Sequence, residues 1–366
     1  MNIKRLVLLI VALSSFLTAS SMSTVGVAVP AIAKDLAMDA LTSNLVLTFF
    51  LLASTVFLVP MGRIADIKGR RKVFVFGNLL FVVFSTLCGL STSAEMLLGL
   101  RFVQGIGGAM IFATGVALIS SVFPYQERGK ALGLYTSSVY IGLTTGPLIG
   151  GALTNWLGWR FIFFFNVPLG VLVIVLTLSQ LRHEWIEARG EGVDFVGSLI
   201  YGLMITSIIM GLSLNNLYGL ILGLVMLVVF AFWELREKWP ILEVRLFKNV
   251  TFAFSNLAAL INYAATYAVP YSLSLYLQYV RGFSPLQAGL ILTSQPASQT
   301  LISPFAGYMA DKVEPRVVAS IGMALTAVGL LSLSNVEAGT NVTTIIAMLV
   351  LVGLGLGLFA SPNTKA

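Results

Sequence analysis

Apolar runs separated by short polar stretches govern this chain from end to end. They fall at residues 7–32, 41–61, 73–92, 96–122, 131–155, 161–180, 195–212, 217–233, 250–273, 284–306, 317–334 and 343–360. Most are close to the roughly 20 residues a helix needs to cross the hydrocarbon core of a bilayer. None shows the apolar–polar alternation that a membrane β-barrel requires. The pattern predicts an all-α integral membrane protein with twelve spans. The first run follows Lys4 and Arg5 and begins like a secretory leader. Its apolar character continues to Ile32, too far for a leader's core, so it is read as the first span.

Composition points the same way. Hydrophobic residues make up 57% of the chain and charged ones 10%, against about 25% charged in soluble domains. With the N-terminus inside, 18 of the 22 Lys and Arg residues fall in cytoplasmic segments. Lys34, Arg160 and Arg281 lie outside, and Arg101 lies within a span. This is the positive-inside bias, and it places both termini in the cytoplasm of a protein in the plasma (cytoplasmic) membrane. The net charge of +7 therefore reads as a topology signal. Its cations are dispersed over short loops, so no nucleic-acid partner is expected. Cys88 is the single cysteine and His183 the single histidine. That leaves no metal-ligand cluster or catalytic constellation, so no enzyme activity, metal or cofactor is expected.

The runs repeat. Gly62-Arg-Ile-Ala65-Asp66, with Arg71 following, recurs as Gly307-Tyr-Met-Ala310-Asp311, with Arg316 following, 245 residues later. Gly105-Ile-Gly107 recurs as Gly353-Leu-Gly355 after 248. Spans 9–12 thus read as a second copy of spans 1–4, with spans 7 and 8 belonging to neither. The expected organisation is an N-terminal six-helix bundle over 1–185, a two-helix linker region over 186–246, and a partial C-terminal bundle over 247–366. A full second copy would run about 60 residues past Ala366, so four of its six expected spans are present.

Three strings carry candidate chemistry. In span 5, Gly142, Gly146 and Gly150 recur every four residues, with Pro147 and Gly151 beside them. That spacing puts the glycines on one helix face, where a second backbone can approach closely, and Pro147 bends the helix. The plainer alternative is an ordinary small-residue helix contact. The loop after span 2 holds Gly62, Asp66, Gly69, Arg70 and Arg71 in a tight turn with one acid among five bases. It reads either as a positive-inside anchor or as a gating loop in which Asp66 pairs with a base or a helix N-terminus. In span 4, Arg101 precedes Gln104 and Gly105. A lone charge in hydrocarbon costs at least about 2.5 kcal/mol, so Arg101 faces a cavity or partner, or else snorkels to the outer surface.

Taken with Trp156-Leu-Gly-Trp159-Arg160 and Asn166-Val-Pro168-Leu-Gly170, these strings resemble the antiporter motif, motif A and the span-4 motif of the major facilitator superfamily. The two linker spans resemble those of its 14-span drug:proton antiporter family. The resemblance implies two pseudo-symmetric helical bundles, the second incomplete, joined by a two-helix linker. It implies a monomer in membrane lipid that exports amphipathic or cationic small molecules by alternating access, with proton coupling. Candidate cavity residues are Ser21, Thr24, Asn256, Asn262, Tyr263 and Gln295. Two departures stand out. Ile67 occupies a place where the family commonly has a base, and Ser21 stands where it commonly has an aspartate, so no embedded proton carrier is visible. The alternative expectation is a non-transporting, truncated or decayed copy of such a transporter.

Overall fold

The computed structural model describes residues 3–365, and their side chains apart from those at 125, 126, 129, 130, 310, 311, 361, 364 and 365. The Asp311 side chain of the repeated loop therefore lies outside the described residues. Helices follow the apolar runs: α1 (Ile3–Asp35), α2 (Ala40–Lys68), α3 (Arg70–Gly89), α4 (Ala94–Val122), α5 (Tyr125–Trp156), the single turn α6 (Phe161–Phe164) and α7 (Asn166–Gln180). The chain continues through α8 (Phe195–Ser213), α9 (Leu217–Glu234), α10 (Val250–Leu275), α11 (Pro285–Leu292), α12 (Ser294–Lys312), α13 (Pro315–Leu333) and α14 (Val342–Lys365). No strand occurs among the described residues.

Helix starts follow local side-chain chemistry. Asp39 accepts the Thr42 N–H at 2.8 Å and Ser93 accepts the Met96 N–H at 3.2 Å, each satisfying an orphan donor of a first turn. Ser284 and Gln287 form a reciprocal capping box ahead of α11.

Ten helical stretches among the described residues are long and apolar enough to cross a membrane, which is fewer than the twelve expected. The two that fall short are α5 and the α11–α12 pair. Both are helical where spans were expected, but polar residues such as Thr144, Thr145, Gln295, Ser298 and Gln299 dilute their apolar content. Span 9 also runs longer than its apolar pattern. α10 passes into a π-helical turn at Tyr276–Val280.

Contacts divide the chain into two compact units. The first comprises Met1–Thr18, Ile32–Ser138 and Phe163–Val244. Within it α4 is among the most buried helices, and α8 and α9 turn Leu, Val and Phe side chains outward, as lipid-facing helices do. α8 and α9 join this unit through Tyr201, Met204 and Phe230, packed against Val59 of α2. The second comprises Ala19–Ala31, Val139–Ile162 and Arg245–Ala366. Its core gathers Val27, Leu273, Leu277, Ala288, Ile291, Leu292, Ile345 and Leu349. α1 contributes both its ends to the first unit and its middle to the second, and α5 is divided once between the two.

Candidate functional site

In the second unit, the glycine face of α5 meets bare backbone. Gly142 is buried. A Cβ added at Gly146 would lie 2.5 Å from Ser23 Cβ and 3.1 Å from the Ser20 carbonyl oxygen. One at Gly150 would lie 2.6 Å from the Thr24 carbonyl oxygen. The opposite side of the same turn meets α11, where Gly151 would set a Cβ 2.5 Å from the Pro285 carbonyl oxygen. Gly289 of α11 sits against the Pro147 carbonyl in turn. Real Cβ atoms do not approach so closely, so only glycine permits these three backbones to meet.

Pro147 explains one further contact. Lacking an N–H, it leaves the Leu143 carbonyl without its helical donor, and the Ser23 hydroxyl donates there instead at 3.1 Å. In α1, the Gln278 amide donates to the Val27 carbonyl at 2.9 Å, one residue along from the Gly26 carbonyl that Pro30 leaves without a helical donor.

Polar side chains converge beside this junction. Tyr140 of α5 neighbours Gln299 of α12 and Tyr263 of α10, and the Thr144 and Thr300 hydroxyls meet at 3.0 Å. Asn262 is 4% exposed, and its Nδ2 has no hydrogen-bond partner among the described residues. Ser21, Thr24 and Gln295 are also buried, with the Thr24 hydroxyl donating to the Ser21 carbonyl at 3.0 Å. Asn256 stands apart: it is exposed and donates to the Phe252 carbonyl of its own helix at 2.8 Å. Sequence reading missed Tyr140 as a member of this group.

In the first unit, Arg101 is 1% exposed, so it does not snorkel. Its Nη1 donates to Gln104 Oε1 at 2.6 Å and its Nε to the Val46 carbonyl at 3.3 Å. The guanidinium lies 4.3 Å from the centre of the Phe50 ring, a cation–π distance. Gly105 lets α4 press against the Phe50 carbonyl of α2.

The loop between α2 and α3 is built around Gly69, whose φ of +118° suits glycine. Arg70 is the hub of this region. Its Nε donates to Asp66 Oδ1 at 2.7 Å and its Nη1 to Ser121 Oγ at 2.6 Å, and it pairs with Glu187. Residues 181–193 form a strap across this loop. Trp185 accepts the Arg70 N–H at 2.9 Å, Glu184 Oε1 accepts the Arg71 N–H at 2.8 Å, and the Asp66 carbonyl accepts the Glu187 and Ala188 N–H groups. Glu191 pairs with Arg63. A Cβ added at Gly62 of α2 would lie in ordinary contact, 3.7 Å, with Ala113 Cβ of α4. The strap's signal was the recurrence of acids at Glu184, Glu187, Glu191 and Asp194, opposite a basic turn.

Comparison with known proteins adds a lineage to this geometry. The sequence profile of the Major Facilitator Superfamily matches residues 11–235 and 256–366. The riboflavin transporter RibZ of Clostridioides difficile (strain 630) is 30% identical over 369 residues, spanning 100% of this chain and 81% of RibZ. Multidrug resistance protein Stp of Mycobacterium tuberculosis is 32% identical over 342 residues, spanning 91% of this chain and 62% of Stp. The multidrug transporter MdtP of Bacillus subtilis is 28% identical over 358 residues, spanning 94% of this chain and 65% of MdtP. This chain therefore spans less than two thirds of the length of Stp and of MdtP. A match over both halves, together with all-helical membrane-length elements, makes this multi-pass membrane protein a member of the major facilitator superfamily.

Proposed function

We infer that the protein is a secondary active transporter of the 14-span drug:proton antiporter kind, exporting amphipathic or cationic small molecules by alternating access. The supporting observation is the glycine junction of α5 with α1 and α11. Three backbones meeting at glycines, with only the small Ser23 side chain between them, give a smooth surface along which packed helices can shift register. The adjoining Tyr140, Tyr263, Gln299 and Asn262 offer aromatic faces and amide groups suited to a partly apolar, partly polar ligand. The names of Stp and MdtP point to drugs as substrates. RibZ, matched over the whole chain, makes riboflavin, itself flat and aromatic, the second substrate to test. Proton coupling and function as a monomer belong to the same reading. With Ser21 in place of an acid, the proton carrier lies elsewhere than in span 1.

The test is efflux of lipophilic cations from a host lacking its own pumps. The 366-residue chain is expressed alone and, in parallel, extended by two further membrane-spanning helices. Either form should lower cellular accumulation relative to empty vector, and Gly146→Val should abolish the effect at equal expression. Retained efflux in Gly146→Val would reduce the glycine face to ordinary packing. No efflux from either form would remove the drug-export reading.

A further inference from the structure

We propose that the Asp194 and Glu234 carboxyl groups form a binding site for one shared proton, which clasps the start of α8 to the end of α9. The site goes beyond the transport reading and does not depend on what is carried. Both side chains are buried, at 7% and 4% exposure, although each sits next to a polar loop in the sequence. Gly197 shows how they are placed. A Cβ there would collide with both Asp194 Oδ2 and Glu234 Oε1, so the two oxygens flank the same point above the glycine.

The surrounding hydrogen bonds assign the proton. Asp194 caps α8, its Oδ1 accepting the Gly197 N–H at 2.7 Å and its Oδ2 accepting the Trp233 indole N–H at 3.0 Å. Two donors and the positive end of a helix thus satisfy both Asp194 oxygens. Glu234 is the last residue of α9, where the helix end is negative. Its Oε2 accepts the Leu242 N–H at 3.0 Å, but its Oε1 is buried and has no hydrogen-bond partner among the described residues. A buried carboxylate oxygen without a donor, facing a second carboxylate, is unfavourable on both counts. A proton on Glu234 Oε1 removes both penalties, because the resulting hydroxyl donates to Asp194 Oδ2. No bond other than this hydrogen bond forms or breaks.

Among the described residues, no cation is paired with either carboxyl. Burial first, and the neighbouring Asp194 carboxyl after it, disfavour a charge on Glu234. On α2, packed against α8, Arg63 is engaged by Glu191. Beyond α9, Lys238 stands 5.1 Å from the centre of the Trp239 ring, and Arg236 and Glu237 line a surface groove beside Trp233.

The folded state holds this proton while an unfolded chain releases it in the ordinary carboxyl range. The contribution to stability is therefore complete below that range and is lost as pH rises through the value of the folded pair. Thermal unfolding of the purified full chain in detergent micelles, repeated across pH 4 to 9, reads this directly. Relative to Glu234→Gln, whose amide donates to Asp194 at every pH, the wild-type midpoint should fall as the pH rises. Parallel profiles would overturn the proposal. Infrared spectra of the unsubstituted chain supply a second reading should the variant fail to fold. A protonated-carboxyl band at neutral pH, shifted when the glutamates carry carbon-13, is expected. Its absence, or a band that does not shift, would equally overturn it.

Discussion

Arg101 shows how one residue can be read correctly for its cost and still be open in its placement. Its position inside an apolar run required either a partner or an escape to water. The structure supplies partners from two helices, Gln104 on its own and Val46 and Phe50 on α2. The repeat-related position, Leu349, is fully buried in the core of the second unit, so the helix itself does not need the charge. Arg101→Ala should therefore strand the Gln104 and Val46 acceptors and destabilise the protein by about 2 kcal/mol, read as a lower melting midpoint, with loss of transport at normal expression. Arg101→Lys should fail similarly, since a point charge cannot make both hydrogen bonds and cover the ring as a planar guanidinium does. Wild-type stability in Arg101→Ala would show that the contacts carry no weight.

At the level of elements, the helices were legible because apolar runs and capping residues act locally. What was not legible depends on groups far apart in the chain. α10 outlasts its apolar pattern because Gln278 and Tyr279 of the π-helical turn donate to α1 carbonyls, a gain invisible in the local sequence. The strap is the larger case. Its acids looked like a solvated loop until α2 and α3 placed a basic turn beneath them. Gly69 joins the two, with a left-handed φ and with Glu184 occupying the space where a side chain would project. Gly69→Ala should cost about 1–2 kcal/mol from backbone strain alone and should also lift the strap. Hydrogen exchange at the Glu187 and Ala188 amides should then speed up markedly. Unchanged exchange would show that the strap does not depend on this turn.

For the whole molecule, the charge pattern predicts the orientation. Residues 62–73 and 235–249 should be cytoplasmic, and 33–40 and 335–342 external. On a Cys88→Ala background, an impermeant thiol reagent applied to intact cells should label Glu337→Cys and spare Lys68→Cys, and the reverse would invert the topology. The division of the chain by contact was harder to read. Repeats in the sequence mark blocks in linear order, and the contact units are a separate division, to both parts of which α1 and α5 each contribute. A repeat records ancestry, while contacts record where small residues allow close approach, and the motif of span 5 carried only the second kind of information.

The meeting of α5 with α1 and α11 also has a consequence for heredity. Packing defects in a side-chain core can be repaired by a second mutation that trims the neighbour. Here the neighbours of Gly150, Gly151 and Gly289 are main-chain atoms of Thr24, Pro285 and Pro147, which no codon can shorten. Descendants of this gene can alter the residues around the junction, but a lineage that loses one of its glycines has no compensating substitution within reach and must recover the glycine itself.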